Sequence, residues 1–382
     1  MVLRPVRTLI AFDKFKDALS ARTAGDVAAA AVRARHPEWT VDICPLTDGG
    51  EGFSATLTGA AGGSMENVMV TGPRGGRVQA PLGLVAGDRL PAAARARLQV
   101  DGAIAVLDLA SASGIGLLAA AERDPWHTTT FGTGELLRHA ASRSPGALLL
   151  GVGGSATNDL GLGALAALGF RLVDASGAPI GMPTPATWER IARIESGSRV
   201  PLPPIFIACD VTNPLLGPRG ATATFGPQKG LKAQDLPRLE ALAARLTGLL
   251  AEACGQPRTL AETAGTGAAG GIPFGLMAAF GAKILPGFEL VADWLDLPAR
   301  IAAADIVITG EGRFDATSLG GKGPGSLFME ARRLGKRALV FAGSLGMPPG
   351  EGLHAITPAG LPLAEALPRT AELLAAAITR AL

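Results

Sequence analysis

Residues Leu148–Phe170 read LLLGVGGSATNDLGLGALAALGF, and this stretch decides the fold class. An apolar run without alternation ends at Leu150, which is typical of a strand covered on both faces in a parallel sheet. Three glycines follow within four residues, and a helix is predicted to begin near Asn158. Glycine lets main-chain N–H groups approach a ligand closely, and a helix N-terminus favours negative charge. The stretch therefore predicts a strand, a loop suited to an anion, and a helix of an α/β protein.

Apolar runs and helix patterns alternate along the rest of the chain. Strands are predicted at VRTLIAF, TVDICPL, AIAVLDL, IFIACD, IVIT, ALVFAG and HAITPAG, and helices at Ser20–His36, from about Pro324 and after Pro368. This alternation predicts a three-layer α/β architecture with parallel sheets. Composition shifts near residues 72–83 and 284–291 indicate domain boundaries. We expect a discontinuous flavodoxin-like parallel-sheet domain from residues 1–75 and 288–382, and an inserted α/β domain at 76–287.

The composition excludes several classes of protein. The 382 residues suffice for two domains, and 48% hydrophobic with 18% charged residues is the composition of a globular protein with a sizeable core. A net charge of +2 without blocks of like charge predicts neither a nucleic-acid nor a membrane partner. The segment 263–282 is uncharged, but glycines and Pro273 predict a loop and a buried helix rather than a membrane span. We expect a soluble, cytoplasmic protein; a homodimer stays an open expectation.

Five further loops are rich in glycine and polar residues: TDGGEG, ACDVTNP, FGPQKG, GTGAAGG and TGEGRFD. Most follow an apolar run, and ligands of parallel sheets collect beyond the carboxyl ends of the strands. The loops contain no histidine and one thiol, Cys209, so they suit magnesium and phosphate better than zinc or thiol chemistry. We interpret the chain as an anion-handling enzyme, and a phosphotransferase fits these loops best.

The GVGGSATND loop leaves several interpretations open. It is not a Walker P-loop, because no lysine is followed by serine or threonine in the required motif; Lys229 and Lys322 each precede a glycine. A dinucleotide-binding pattern, GxGxxA, begins at Gly151, with Asp174 as the later acid. Against that pattern, Asp159 would place a carboxylate beside a pyrophosphate at the helix start. A tight turn without a ligand is the remaining alternative.

Three carboxylates are candidates for metal and proton chemistry. Asp48 and Glu51 are hard oxygen donors on glycine hinges, which suits magnesium, although a solvent-exposed acidic turn would look the same. Asp210 directly follows a buried strand, so it could accept a proton from a substrate hydroxyl while Asn213 helps to hold a metal. The alternative for this pair is an Asx-turn that ends at Pro214.

Basic residues accompany these acids. Lys229 is a compact point charge suited to phosphate oxygens, although a lone lysine is usually solvated surface. The first strand is followed by Asp13, Lys14 and Lys16, whose two cations could hold a small carboxylate or could simply precede a helix.

The TGEGRFD loop carries a mixed-charge cluster, with Lys322 further along the chain. Glu311, Arg313 and Asp315 suit a site that binds both metal and phosphate, and would also suit a surface ion network.

Taken together, the motifs resemble the bacterial glycerate kinase family. The resemblance rests on TDGGEGF, ASGIGLL, TTTFGTGELL, GVGGSATNDLGLGALAALGF, ACDVTNPLLGPRGATATFGPQKG, GTGAAGG and ITGEGRFDATSLGGKGP, which occur in the family's order over nearly the whole chain. Lys14 stands where many relatives carry serine, and Phe314 stands where a small aliphatic residue is commoner. These departures bear on substrate preference, not on reaction class.

The resemblance implies magnesium- and ATP-dependent phosphorylation of D-glycerate, mostly to 2-phosphoglycerate, although 3-phosphoglycerate producers carry the same broad name. Phosphoryl transfer depends mainly on positioning and charge neutralisation. With that reaction, our hypotheses assign catalysis to Asp210 and Asp315, phosphate or nucleotide binding to Gly153, Gly154, Ser155, Asn158 and Lys229, substrate binding to Asp13, Lys14, Lys16 and Arg313, and metal binding to Asp48, Glu51 and Glu311. The two-domain layout predicts a cleft that closes on its substrates.

Two other functions stay open. A dinucleotide-dependent oxidoreductase would use the GxGxxA loop and Asp174. A non-enzymatic sensor of a sugar acid would bind one ligand without turnover, although a passive anion receptor has no reason to gather carboxylates beside its ligand.

Overall fold

The computed structural model describes residues 4–319 and 323–382, and the chain divides into two compact units. Unit 1 comprises Met1–Asp48 and Val291–Leu382, and unit 2 comprises Gly49–Leu290. Both units combine helices with mostly parallel strands, which confirms the predicted α/β fold class. Among the described residues, no helix combines the length and the apolar character needed to cross a bilayer.

The strands of the described chain are labelled β1 to β15 in chain order. They are Arg7–Phe12, Thr40–Ile43, Ser64–Thr71, Arg77–Ala86, Ala103–Asp108, Ala147–Gly151, Arg171–Val173, Arg193–Glu195, Ile205–Ala208, Lys283–Leu285, Ile306–Gly310, Arg313–Phe314, Arg337–Ala342, Ser344–Leu345 and Leu353–Ala355.

The α-helices are labelled α1 to α14 in the same way. They are Ala21–Arg35, Phe53–Ala60, Ala92–Leu98, Leu109–Ser113, Phe131–Ser142, Leu162–Ala167, Ala221–Phe225, Leu236–Ala253, Ile272–Phe280, Gly287–Trp294, Leu297–Ala303, Gly323–Arg333, Leu363–Ala366 and Thr370–Ala381.

Unit 1 is built on a parallel sheet with the order β15-β13-β11-β1-β2. When only the strands of this sheet are numbered in chain order, the order is 5-4-3-1-2, which is the order of flavodoxin-like sheets. Helices α1 and α14 pack against each other, and their apolar faces join the strand side chains in one core. The side chain of Ser20 accepts a hydrogen bond from the main-chain N–H of Thr23 at 3.1 Å, so α1 begins one residue after this cap.

Unit 2 contains a six-stranded sheet with the order β10-β9-β6-β5-β4-β3. The four strands from β10 to β5 are parallel, whereas β4 and β3 are added antiparallel. The sequence analysis predicted the parallel strands β5, β6 and β9 but not β10, β3 or β4. The first six side chains of β3 are exposed or partly exposed and only the last two are buried, so the strand lacks the apolar run that identified the others.

Residues 49–75, which the sequence analysis assigned to the first domain, belong to unit 2. Strand β3 lies in this segment and pairs with β4 over eight residue pairs, from Ser64–Leu84 to Thr71–Arg77. The glycine-rich sequence near residue 72 forms the turn between the two strands, where Gly75 N donates to Gly72 O at 3.0 Å. The composition shift therefore marks a hairpin turn, because tight turns and domain linkers draw on the same residue types.

The stretch Leu148–Phe170 contains the end of β6, an irregular loop and then α6. This helix starts at Leu162 rather than near Asn158, where the sequence predicted its start. Both Leu160 (φ +57°) and Gly161 (φ +74°) adopt left-handed backbone conformations, which an α-helix cannot contain. Asp159 accepts hydrogen bonds from Gly161 N at 3.1 Å and Gly163 N at 3.2 Å, so its carboxylate caps the helix from outside.

Strand β6 lies inside the unit 2 sheet, so shortening its buried side chains should destabilise the protein. Leu150→Ala removes a fully buried side chain of the main core and should cost about 2–5 kcal/mol, because the cavity is only partly refilled. Leu363→Ala is the control, since that side chain is 72% exposed. Thermal unfolding should show a clear fall in midpoint for the first variant and none for the second; equal midpoints would contradict the assigned burial.

Candidate active site

Three loops of unit 2 are joined by main-chain hydrogen bonds at the carboxyl edge of the parallel strands. Gly153 N donates to Gly49 O at 2.9 Å, which ties the loop after β6 to residues 49–52. Ile115 N donates to Gly154 O at 2.8 Å, which ties the same loop to the one that follows α4. The sequence motifs TDGGEG, ASGIG and GVGGSATND therefore meet, although they lie far apart along the chain.

Three further glycine-rich or polar loops of unit 2 join the same group, and one of them, FGPQKG, contacts the loop after β6 because Lys229 Nζ donates to Thr157 O. Gly267 N donates to Asn213 O at 3.0 Å, so GTGAAGG contacts the loop after β9. Leu160 N donates to Gly270 O at 2.9 Å, so GTGAAGG also contacts the loop after β6. We call this set of residues, 49–52, 113–116, 151–161, 209–214, 226–230 and 265–271, the glycine-loop cluster.

Two glycines of this cluster are required by close backbone contact. A Cβ atom at Gly153 would lie 2.7 Å from Gly50 Cα, and one at Gly151 would lie 2.5 Å from Gly49 O. Real Cβ atoms do not approach backbone atoms this closely, so a larger residue would separate the loops. At both positions the space that glycine provides is filled by a neighbouring loop rather than left open.

The predicted phosphate-binding residues divide into an exposed and a buried set. Gly154 is exposed and Gly153 is partly exposed, whereas Ser155, Asn158 and Lys229 are buried. The exposed turn of this loop therefore consists mainly of the two glycines. Its polar side chains lie beneath that turn, inside unit 2.

The buried side chains bind other parts of unit 2. Asn158 Nδ2 donates to Thr222 Oγ1 at 3.2 Å, and Lys229 Nζ donates to Thr157 O at 2.6 Å. Burial lowers the pKa of Lys229 to about 7, although the charge of Asp159 acts in the opposite direction.

Asp210, the first candidate for the catalytic base, is half-buried and lies two residues beyond the end of β9. Its two carboxylate oxygens accept the N–H of Phe288 at 3.0 and 3.1 Å, at the start of α10. Asn213 is engaged in its own loop, because Nδ2 donates to Arg219 O at 2.7 Å and to Thr224 Oγ1 at 3.2 Å. Glu51, a metal candidate, is exposed.

Two buried carboxylates were not proposed as site residues from the sequence. Asp108 ends β5 and accepts a hydrogen bond from Ser54 N at 2.5 Å, beside residues 49–52. Asp159 accepts from Thr130 N at 2.7 Å and from Thr130 Oγ1 at 2.8 Å. The sequence pattern that pointed to Asp210 is also present at Asp108, because both aspartates follow an apolar run.

Unit 1 carries the second group of predicted residues. Asp13 follows β1 and Glu311 follows β11, which are neighbouring parallel strands paired up to Phe12 and Gly310. The chain leaves β1 toward β2 on one side and returns to β11 on the other, so the strand order reverses between them. Open parallel sheets bind ligands in the crevice at such a point.

Three carboxylates lie in this region, and we call Asp13, Asp48 and Glu311 the acidic cluster. Their charges shift the pKa values of Asp13 and Glu311. Burial, followed by the charge of Asp48, raises the pKa of Asp13 to about 6 against the opposing effect of Lys14. Burial raises the pKa of Glu311 to about 7, a hydrogen bond with Ser318 opposes the rise, and neighbouring carboxylates, Asp13 foremost, add to it.

Basic side chains lie around the acidic cluster. The ammonium of Lys14 is 3.3 Å from a carboxylate oxygen of Asp48, and Lys16 is exposed. Arg313 Nε donates to Asp315 at 3.2 Å. Lys322 lies outside the described residues.

Asp315, the second candidate for the base, is held in its own turn. Its carboxylate accepts from Thr317 Oγ1 at 2.6 Å and Thr317 N at 2.9 Å. These bonds, with one from Arg313, lower its pKa and stabilise the ionised form.

The metal candidates suit a magnesium ion that takes only one or two ligands from the protein. Within residues 4–319 and 323–382, no three or more His, Cys, Asp or Glu side chains are grouped so that they could hold a metal ion. Asp48 and Glu311 belong to the acidic cluster, whereas Glu51 belongs to unit 2. The oxygen donors of the acidic cluster suit a magnesium ion bound by one or two carboxylates, with water and phosphate as further ligands.

A parallel α/β fold with glycine loops and carboxylates at the strand ends is an arrangement that suits enzymes handling phosphate. A sequence profile of the Glycerate kinase family matches residues 8–382 of this chain. The chain belongs to the glycerate kinase family, and it is a kinase.

Individual relatives agree with this assignment. The protein named glycerate kinase from Bacillus subtilis (strain 168) is 36% identical over 377 residues, covering 96% of this chain and 94% of that protein. Glycerate 2-kinase from Escherichia coli (strain K12) is 36% identical over 342 residues, covering 89% and 86%. A crystal structure described as glycerate kinase 2 from Salmonella typhimurium LT2 matches with a TM-score of 0.78 and 37% identity, covering 99% of this chain and 97% of that one. The resemblance stated from the motifs is thus confirmed.

The contact between Gly153 and Gly50 generates a prediction about activity. In Gly153→Ala the new methyl group would displace residues 49–52, and the resulting misplacement should lower kinase kcat/KM by about 10-fold or more. Gly59→Ala is the control, because a Cβ there meets nothing within 4 Å and alanine favours the helix. Steady-state kinetics and thermal unfolding of both variants test this; full activity of Gly153→Ala would show that the loop contact is dispensable.

Proposed function

We propose that the protein transfers the terminal phosphoryl group of ATP to a hydroxyl of D-glycerate, with 2-phosphoglycerate as the product. The observation that carries the proposal is the glycine-loop cluster of unit 2, in a chain that matches the glycerate kinase family over residues 8–382. The 2-hydroxyl is favoured because a 36% identical relative bears the name glycerate 2-kinase.

The exposed backbone of the glycine-loop cluster is our candidate for binding phosphate. Gly153 and Gly154 present main chain without side chains, so phosphate oxygens can approach closely. Lys14, Lys16 and Arg313 of unit 1 are our candidates for holding the carboxylate of glycerate.

Magnesium, when bound, would neutralise charge on the phosphate oxygens, and Asp48 and Glu311 are the residues we assign to it. The raised pKa of Glu311 supports this assignment, because a carboxylate that ionises reluctantly among like charges gains most from a nearby cation.

The base accepts the proton of the attacking hydroxyl while the new O–P bond forms and the bond to ADP breaks. We assign this role to Asp210, whose oxygens keep lone pairs after accepting one N–H. Asp315 is the weaker candidate, because its hydrogen bonds favour the carboxylate and so reduce its basicity.

The direct test incubates the protein with ATP, magnesium and D-glycerate and identifies the product by ³¹P NMR. We expect 2-phosphoglycerate and ADP in equal amounts. Exclusive formation of 3-phosphoglycerate would overturn the regiochemistry, and absence of any phosphoglycerate would overturn the function. The expected cleft closure stays a prediction, which X-ray scattering with and without both substrates tests through the radius of gyration.

The oxidoreductase alternative depends on Asp174. Its carboxylate accepts from Ser176 Oγ at 2.6 Å, Ser176 N at 2.9 Å and Ala178 N at 3.0 Å, all within the turn that directly follows β7. A side chain engaged in its own turn is poorly suited to a ribose, so this observation favours the kinase.

Asp210→Asn should lower kcat by about 100-fold or more with little change in ATP affinity, because the amide cannot accept the proton. The hydrogen bond from Phe288 can persist through the remaining oxygen, so the fold should be retained. Asp174→Asn makes the same chemical change in an exposed turn and should leave kcat unchanged. Near-normal turnover of Asp210→Asn would end its assignment as the base.

A further inference from the structure

Lys229 is a lysine buried inside unit 2, with only 2% of its surface exposed. Its ammonium donates to the carbonyl of Thr157 at 2.6 Å. Because a peptide unit is planar, fixing this carbonyl also fixes the direction of the N–H of Asn158. The lysine therefore sets the orientation of one peptide plane in the loop after β6.

The negative charge that accompanies Lys229 is Asp159, which is completely buried two residues after Thr157. Its carboxylate accepts four hydrogen bonds, two from Thr130 and one each from the N–H groups of Gly161 and Gly163. Thr130 precedes α5, and Gly161 precedes α6. Asp159 thus joins the starts of two helices to the end of the loop.

Other interactions fix the preceding residues of the same loop. Thr128 Oγ1 donates to Ala156 O at 3.2 Å, and Ala156 N donates to Ser113 O at 2.9 Å. Lys229 contributes the side-chain hydrogen bond at Thr157, between these contacts and Asp159. Buried polar groups therefore fix the residues that directly follow the exposed Gly153–Gly154 turn.

We propose that Lys229 is a positioning residue that, balanced by Asp159, holds the loop of residues 153–158 in the conformation that receives the nucleotide phosphates. This proposal rests on the proposed function and changes the role that the sequence suggested for Lys229 within it. A direct phosphate contact would require the ammonium to leave its buried bond to Thr157.

The first experiment compares Lys229→Met with the wild type. Misplacement of the loop should lower kcat/KM for ATP by about 10-fold or more, while KM for glycerate changes by less than about twofold. Because the loop and not one phosphate contact is affected, the Kd values for ATP and ADP should rise by the same factor. Lys232→Met makes the same change at an exposed neighbour and should leave all these values unchanged.

The second experiment adds Asp159→Asn to form a double-mutant cycle. Lys229→Met leaves a buried carboxylate without its counter-charge, so Asp159→Asn should lower the unfolding midpoint and kcat/KM less in Lys229→Met than in the wild type, where it also breaks the ion pair. A direct phosphate contact predicts no such coupling. It predicts instead a larger loss for ATP than for ADP and an unchanged unfolding midpoint, and that combination would overturn the proposal.

Lys229→Gln provides a folded variant if Lys229→Met does not fold. The glutamine amide is a neutral donor that reaches less far, so kcat/KM should lie between those of the wild type and Lys229→Met. Wild-type activity of a folded Lys229→Met, or failure of both variants to fold, would overturn a specific positioning role. Lack of glycerate phosphorylation by the wild type rejects the proposed function alone, because ATP and ADP binding and the unfolding cycle still test the loop.

Discussion

The direct contact of backbone with backbone between residues 49–50 and 151–153 is the constraint on which the functional region of unit 2 depends. Gly153 donates to Gly49, and neither Gly151 nor Gly153 has room for a methyl group. Two loops without side chains can approach to hydrogen-bonding distance, and their backbone groups are then satisfied by each other. The exposed turn at Gly154 owes its position to this contact.

The sequence predicted much of the fold because buried parallel strands leave a clear pattern. The apolar runs that gave β1, β5, β6, β9, β11 and β13 need no knowledge of their neighbours, since both faces of such strands are covered. By contrast, β3 lies at a sheet edge with exposed Met65 and Met69, so its pattern resembles that of a surface loop. The start of α6 was also misplaced, because left-handed backbone at Leu160 cannot be recognised from residue type.

The candidate site was predictable in its chemistry more than in its geometry. Loop composition indicated oxygen donors and cations, and the structure groups Asp13 with Glu311 because they end neighbouring strands. Composition could not indicate which polar side chains point inward. Lys229 and Asn158 have the residue types of a phosphate site, yet both are buried, and burial is decided by tertiary packing.

The discontinuity of unit 1 constrains how the chain can fold during synthesis. Strand β1 is made first, but it pairs with β11, where Thr8 meets Ile306, so its sheet cannot close until almost three hundred further residues have left the ribosome. Unit 2 is continuous from Gly49 to Leu290, so it can fold before the sheet that contains β1 and β2 is complete. During translation the apolar strand Arg7–Phe12 is therefore unpaired on its β11 side, and an unpaired apolar strand edge is prone to aggregation until β11 has been made.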